Sequence, residues 1–211
     1  MAFTNTDSLA IPFGGRERYF GTNPIALAAP MKGEGPFNVD MATTTVPWNK
    51  ILIYQSLNKK LEPGWAVDRR GKQTLDPKQA LALLPLGGYK GYSLAAAVEI
   101  MSALLPATKF GKHVKRMYPA DGEKRGLGHT IIVINISMFR KLVDFKSDLK
   151  QLSDELRSSV PSSPSSAVLA PGDPEKQMYL KRLKTGIPIP VADLKILKGY
   201  ANKHKIKFKI W

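Results

Sequence analysis

Apolar and polar positions in much of the chain alternate or form short runs, as is typical of strands separated by turns. Ile25–Ala29 is a short apolar run that Pro30 ends, and residues 37–42 alternate like a half-buried strand. Residues 130–136 are apolar on both faces, which predicts a strand in the interior of a sheet covered by helices. A shorter extended piece is predicted at residues 64–68, and a turn follows it.

Helix start signals, end signals and apolar stripes organise the remaining stretches. They predict helices over residues 43–57, 76–84, 94–105, 138–157, about 173–186 and 191–202. The first begins with threonines that can cap it and with Pro47, which a first turn tolerates. The fourth carries an apolar stripe, expected to pack in a core or against a second subunit: Leu142, Phe145, Leu149, Leu152 and Leu156.

Three segments have neither periodicity nor a strong strand pattern. Residues 108–128 are polar and punctuated by glycine, which predicts a surface loop. Residues 158–166 are rich in serine and proline, which predicts a flexible connection. The tail, residues 203–211, alternates lysine with apolar residues; a frayed end is favoured over an edge strand or a partner contact.

The composition is that of a globular protein and excludes several kinds of chemistry. Of the 211 residues, 43% are hydrophobic and 23% are charged, which is ordinary for a chain able to bury a core. Cysteine is absent, so disulfides, thiolate metal sites and a cysteine nucleophile are excluded. No apolar run reaches the ~18 residues of a membrane span, and the first residues lack the pattern of a signal peptide. We therefore expect a cytoplasmic protein with no membrane partner.

The net charge of +15 is the unusual feature of the composition. An excess of this size invites nucleic acid or an acidic surface as a partner. The lysines are spread along the chain, however, and no arginine–aromatic block typical of RNA-binding domains occurs. Nucleic-acid binding is therefore not favoured, and a small anionic ligand would account for only a little of the charge.

The segment Leu86–Ser93 is the strongest candidate for binding chemistry. It holds three glycines and Lys90 directly before an apolar, alanine-rich helix. Glycines let a backbone approach a ligand, and a helix start offers N–H groups and partial positive charge, so the segment fits a cradle for phosphate or carboxylate. The pattern fits equally well the start of a buried helix with a solvated lysine. It matches neither G-x-x-x-x-G-K-[ST] nor G-x-G-x-x-G.

The remaining polar residues point to no other site by themselves. The three histidines, His113, His129 and His204, have no metal-ligand spacing, so no metal site is predicted. His129 stands in a glycine turn before the strand at 130–136, where a locally bonded turn residue is the favoured interpretation over a site residue. Asp40 fits a ligand contact or a turn. On residues alone, the chain is an anion-binding α/β protein.

A series of motifs nevertheless resembles the malate/L-lactate dehydrogenase family. This is the type 2 group, with the ureidoglycolate, sulfolactate and diketogulonate enzymes, and it is unrelated to the classical Rossmann lactate dehydrogenases. The resemblance covers nearly the whole chain in the right order. It is carried by Phe13-Gly14-Gly15, Phe20 to Ala26, Val39 to Thr43, Gly64 to Asp68, Leu86 to Tyr92, Gly128-His129, Pro171 to Glu175 and Gly186 to Ile189.

The resemblance implies an NAD(P)-dependent oxidoreductase that moves a hydride between nicotinamide and a small 2-hydroxy or 2-oxo acid. It also implies an α/β fold with a mixed sheet layered with helices, a homodimer, and NAD or NADP as cofactor. Residues 1–137 would form the cofactor-binding domain, and residues 138–211 a mainly helical portion packing on it. The family positions matched for cofactor binding are Thr6, Asp40, Met41, Ala42, Lys90, Gly172 and Asp173. Helix starts at Thr43–Thr45 and at Gly91 could each offer N–H groups to the cofactor.

The departures from the family pattern concern the proton chemistry. Family members carry, in an N-terminal segment, a histidine that acts as general acid/base and an arginine that clamps the substrate carboxylate. These 211 residues match neither, so no catalytic residue is assigned and an N-terminally truncated chain with weak or absent turnover is expected. Smaller departures are Asn49 in the family's Trp-Gly-Lys and Asp173 in its Pro-Gly-Glu. The alternative function is a non-catalytic, basic binding or interaction protein, motivated by the charge and the lysine-rich tail.

Overall fold

The computed structural model describes residues 1–117, 122, 124–163 and 167–208. By its contacts the chain divides into two compact units, Met1–Leu149 and Lys150–Trp211. The strands are β1 (Ala2–Thr4), β2 (Ile25–Ala29), β3 (Phe37–Met41), β4 (Ala66–Val67), β5 (Ala82–Leu83) and β6 (His129–Ile131). The helices are α1 (Trp48–Ser56), α2 (Tyr89–Glu99), α3 (Leu142–Arg157), α4 (Asp173–Thr185) and α5 (Val191–Lys203).

The main sheet of the first unit has four strands in the order β3-β2-β1-β6, and its strand pairs are antiparallel. In one row across it, Asp40 lies opposite Ala26, Ala26 opposite Ala2, and Ala2 opposite Ile131. On the other face, the Thr130 hydroxyl donates to the carbonyl of Met101, in the helical turn that continues α2. The predicted strands at 25–29 and 37–42 are confirmed, and so is the α/β class of the fold.

The prediction of an interior strand at residues 130–136 is wrong. β6 ends at Ile131 and lies at the edge of the sheet, and the Ile131 and Val133 side chains are 75% and 87% exposed. An apolar strand predicts that both of its faces pack against other elements, but its sequence does not identify those elements. In the part of the chain that the structure describes, no strand lies outside β6 and these side chains remain open.

A second, two-stranded sheet forms the centre of the core. The four residues of β4 and β5 are all buried. The main apolar cluster is made of Ala10, Val46, Ile51, Leu61, Ala66 and Leu83. The predicted helix over residues 76–84 is therefore wrong: Asp76 caps only a turn, and burial of Leu83 against β4 overrides the local helix-start signal.

The other predicted helices are confirmed, with shifted starts. Pro47 occupies the N-cap position of α1 and no side chain caps the helix, so the threonines at 43–45 precede it. α2 begins at Tyr89 and not at residue 94, and Ile100–Leu104 continue it as a π-helical turn. α3 begins at Leu142, and its apolar stripe is at most half-buried.

In the second unit, both predicted helix bounds hold to within a residue or two. α4 ends where Gly186 takes a φ of +72°, a conformation that favours glycine. The connection at 158–163 and 167–170 forms no helix or strand, and its remaining residues, 164–166, lie outside the described residues. The alternating tail forms no strand over 204–208, and residues 209–211 lie outside the described residues.

Among the described residues, no helix is both long and apolar enough to cross a bilayer. The division at Leu149 separates units by contact and does not test which part holds a cofactor, so the domains at 1–137 and 138–211 stay a prediction.

Candidate cofactor site

A chain of hydrogen bonds joins the predicted site segments of the first unit. The Thr6 hydroxyl oxygen accepts from the Thr22 backbone N–H at 2.9 Å. The Thr22 carbonyl accepts from both the N–H and the hydroxyl of Thr43, at 2.9 and 3.0 Å. The Thr43 carbonyl accepts from the Leu86 N–H at 2.9 Å. This threonine ladder (Thr6, Thr22, Thr43 and Leu86) fixes the end of β1, the segment after β3 and the glycine loop in one register.

Two glycines make the close approach of these segments possible. A Cβ added at Gly21 would lie 2.0 Å from the Thr6 hydroxyl oxygen. A Cβ added at Gly91 would lie 2.3 Å from the Leu86 carbonyl oxygen and 2.8 Å from that of Thr43. Because these distances are far below van der Waals contact, only glycine fits at either position.

Lys90 lies in the first turn of α2. The helix begins after Gly88, whose φ is +67°, and Gly91 already donates its N–H to Leu86 at 2.8 Å, so the predicted helix start at Gly91 moves towards the N-terminus. The Lys90 side chain is exposed. Lys90 therefore belongs to the turn that carries the partial positive charge of the helix start, four residues after Leu86 of the threonine ladder.

Asp40 lines a groove on the open face of the main sheet. The groove has a volume of about 300 Å³ and is lined by Ala2, Phe3, Thr4, Pro24, Ala26, Asp40, His129 and Ile131. Three strand spacings, about 14 Å, separate the strand of Asp40 from that of His129. The floor between them is made of small side chains, so a flat ligand could lie across the strands with a carboxylate at one side and an imidazole at the other.

His129 is the groove residue that sequence reasoning missed, because a turn histidine was the favoured interpretation. The signal that could have found it is the period of two: His129 and Ile131 lie on one face of β6, and His129 pairs with Thr4. The same period turns Met41 away from Asp40, onto the other face of β3. Ala42 follows the strand and is half-buried.

Thr6 is engaged within the protein. Beyond accepting from Thr22, its hydroxyl lies 3.5 Å from the Thr22 hydroxyl and 3.4 Å from the Asp7 carbonyl, and its backbone N–H donates to Asn23 at 3.4 Å. These contacts fix the position of Thr6. A cofactor contact through it stays a prediction.

Gly172 and Asp173 belong to the second unit, where they start α4. Gly172 is the N-cap, with a φ of +89°. The Asp173 carboxylate is buried and receives two hydrogen bonds from Arg157, at 2.8 and 2.7 Å, and one from the Ala170 N–H at 2.9 Å. The hydrogen bonds from Arg157 lower the pKa of Asp173 below its ordinary value. The Asp173 carboxylate therefore accepts hydrogen bonds from within the second unit, from Arg157 and Ala170. Its contact with a cofactor stays a prediction.

The described residues contain no group of three or more histidine, aspartate or glutamate side chains that could hold a metal ion. The polar groups of the first unit considered for a ligand are a carboxylate and an imidazole in the groove, and an ammonium at the start of α2. Carboxylates accept hydrogen bonds from hydroxyl groups, and helix starts with a nearby cation attract phosphate. The donor set therefore fits a phosphorylated ligand that also carries hydroxyl groups, as a nicotinamide dinucleotide does.

Comparison with known proteins gives the family. A family model described as malate/L-lactate dehydrogenase matches residues 1–198. Ureidoglycolate dehydrogenase (NAD(+)) of Escherichia coli is 38% identical over 189 residues, which are 90% of this chain and 54% of that protein. L-sulfolactate dehydrogenase of Methanocaldococcus jannaschii is 41% identical over 209 residues, which are 96% of this chain and 58% of that protein. The chain belongs to the malate/L-lactate dehydrogenase family.

A solved structure agrees with this assignment. Malate dehydrogenase from Entamoeba histolytica superposes with a TM-score of 0.91 at 28% identity, over 99% of this chain and 62% of that chain. The predicted family and its fold are therefore confirmed. Both NAD(+) and NADP(+) occur in the names of matched relatives. The chain spans about half the length of the curated relatives it matches.

Proposed function

We propose that the chain is part of an NAD(P)-dependent oxidoreductase that transfers a hydride between nicotinamide and a small 2-hydroxy or 2-oxo acid. The observation that supports the proposal most is the threonine ladder, because it bonds Thr6 to Thr22, Thr22 to Thr43 just after the Asp40–Ala42 strand end, and Thr43 to Leu86, four residues before Lys90. The family membership supports it, since relatives are named dehydrogenases of such acids. The homodimer implied by the family resemblance is part of the same proposal.

The protein's part in this function is binding and orientation. When bound, the nicotinamide group supplies or accepts the hydride. Asp40 would accept hydrogen bonds from ribose hydroxyl groups, and Lys90 with the start of α2 would hold phosphate charge. The threonine ladder fixes the backbone segments next to these two residues, so binding loses less conformational entropy than it would in a mobile site.

Nicotinamide cofactor binding is the first expected result. NADH or NADPH titrated into the 211-residue chain should change its fluorescence or raise its melting temperature. Lys90→Ala should weaken binding about tenfold, because removal of one charged hydrogen bond is worth about 1.5–3 kcal/mol before solvent screening. Lys60→Ala is the matched control, since Lys60 is an exposed lysine outside the site. Equal weakening by both variants would mean that Lys90 acts only through the net charge of the protein. If neither cofactor binds to the wild-type chain, the proposal is refuted.

Turnover by these 211 residues alone is expected to be weak or absent. The general acid/base and the carboxylate-clamping arginine implied by the resemblance have no match among them, and general acid–base catalysis typically contributes about 10²–10⁴-fold. The measurement is NADH oxidation or formation with malate, lactate and similar acids. Robust turnover that Lys90→Ala abolishes would show that the proton chemistry lies within these residues.

A further inference from the structure

A buried carboxylate lies behind the candidate site and takes no direct part in it. Glu99, the last residue of α2, is only 4% exposed. One of its oxygens accepts from the Gly111 N–H at 2.7 Å and from the Asn5 amide at 3.4 Å, and the other accepts from the Asn23 amide at 2.6 Å. These partners are uncharged donors. Burying a carboxylate costs free energy unless its oxygens accept hydrogen bonds. The three hydrogen bonds to Glu99 offset that cost.

Asn5 carries the contact from Glu99 towards β1 and β6. Its side chain is fully buried. The amide nitrogen donates to the Lys109 carbonyl at 2.9 Å as well as to Glu99, and the amide oxygen accepts from the Gly128 N–H at 3.0 Å. Donors and acceptor are all used, so the orientation of the amide is fixed.

Asn23 carries the contact towards β2. It too is fully buried, and its backbone has a φ of +34°, a region that asparagine tolerates better than most residues. Its amide nitrogen donates to the Ala95 carbonyl at 3.0 Å as well as to Glu99, and its amide oxygen accepts from the Thr6 N–H at 3.4 Å. Flipping this amide would break bonds on both sides.

Asn5, Asn23 and Gly128 are joined by these hydrogen bonds, and each is next in sequence to a residue that lines the groove. Asn5 follows Thr4, Asn23 precedes Pro24, and Gly128 precedes His129; Thr4, Pro24 and His129 all line the groove that contains Asp40. Asn5 also directly precedes Thr6 of the ladder. Ile100–Leu104, directly after Glu99, form a π-helical turn, a feature that is frequent at functional sites.

We infer that Glu99, acting through Asn5 and Asn23, is the positioning residue of the groove and of Thr6. Its role towards a ligand rests on the proposed function, whereas its role in placing Thr4, Thr6, Pro24 and His129 does not. The carboxylate is required because both its oxygens must accept. An amide in its place would turn an N–H donor towards either Asn23 or Gly111, whichever way it is oriented.

The first arm of the test measures cofactor affinity in the full 211-residue chain. Glu99→Gln should weaken NADH binding about tenfold, because a displaced groove would lose on the order of one hydrogen bond to the cofactor. Asp68→Asn is the control: it makes the same change from carboxylate to amide at another buried residue, which accepts from the Arg70 and Lys72 N–H groups and bonds neither Asn5 nor Asn23. It should lower the melting temperature and leave the dissociation constant unchanged. An unchanged constant in folded Glu99→Gln would overturn the inference.

The second arm needs no ligand. In ¹H–¹⁵N spectra, the amide signals of Thr6 and His129 should shift in Glu99→Gln and stay in place in Asp68→Asn. Asn23→Gly suits the positive φ and breaks the contact with Glu99 without changing charge, so it serves if Glu99→Gln fails to fold. Unmoved Thr6 and His129 signals in the folded variants would refute the positioning role. A wild-type chain that binds neither NADH nor NADPH would contradict the proposed function alone.

Discussion

Replacing Arg157 with alanine is expected to lower the free energy of unfolding of the second unit by about 1–3 kcal/mol. The substitution leaves the Asp173 carboxylate, which is 6% exposed, without its two hydrogen bonds from the guanidinium. Breaking a buried pair is destabilising chiefly because an uncompensated charge stays behind. Urea denaturation followed by circular dichroism, with hydrogen exchange of α4 amides, measures the loss.

Arg140→Ala is the matched control for this experiment. Arg140 also pairs with an aspartate, Asp148, at 2.7 Å, but the two side chains are 44% and 61% exposed. Exposed pairs of this kind are worth about 0–1 kcal/mol, so the control should change stability little. Equal losses in the two variants would mean that burial of Asp173 does not decide the effect.

The difference between wild type and Arg157→Ala should depend on pH in a defined direction. Because Arg157 lowers the pKa of Asp173 in the folded state, the pair stabilises the fold fully above the unfolded-state pKa, about 4. The contribution is lost as the pH falls through the lowered pKa of the folded state. The two denaturation midpoints should therefore differ fully at neutral pH and converge in acid. Midpoints that diverge on acidification would contradict this assignment.

Gly91→Ala is expected to destabilise the first unit and to weaken cofactor binding by at least the roughly tenfold effect of Lys90→Ala. Its new Cβ would meet the backbone of Leu86 at 2.3 Å and of Thr43 at 2.8 Å, and backbone cannot swing aside as a side chain can. Overpacking of this kind typically lowers stability by about 1–3 kcal/mol. Separation of Leu86 from Thr43 would also break the last rung of the threonine ladder and displace Lys90. Thermal melts and NADH titration report the two effects.

Gly199→Ala supplies the control, since Gly199 also lies inside a helix. A Cβ there meets nothing within 4 Å. Alanine in a helix interior is favoured over glycine by about 0.5–1 kcal/mol, so this variant should be slightly more stable than wild type. If Gly91→Ala behaved in the same way, the close approach of the glycine loop to Thr43 would be refuted.

Local signals in the sequence sufficed where the deciding interactions are local. Pro30 ends β2 because it has no N–H for the strand ladder, and Gly186 ends α4 because glycine readily adopts a positive φ, so both ends were predictable. Residues 76–84 show the opposite case. Their helix-start signal is local. Leu83 instead forms a strand because it pairs with Ala66, which lies outside the segment.

The candidate site likewise has parts that depend on local sequence and parts that depend on distant residues. Its segments were predictable from family resemblance, since Asp40 and Lys90 stand in recognisable motifs. Their geometry was not, because the bonds that set it join residues far apart: Glu99 reaches Asn5 and Asn23 across 94 and 76 positions. Nothing in the local sequence around a glutamate at the end of an alanine-rich helix distinguishes a buried acceptor from a solvated charge.

The central place of β1 in the main sheet has a consequence for how the chain folds. β1 lies between β2 and β6, and bonds such as Met1 to Ile132 and Thr4 to Gly128 join residues 131 and 124 positions apart. Such non-local pairing is slow to form, because the entropy of closing a long loop is lost before the strand contacts form. During synthesis, β1 therefore has only one of its two neighbouring strands available until residues 129–131 have followed it.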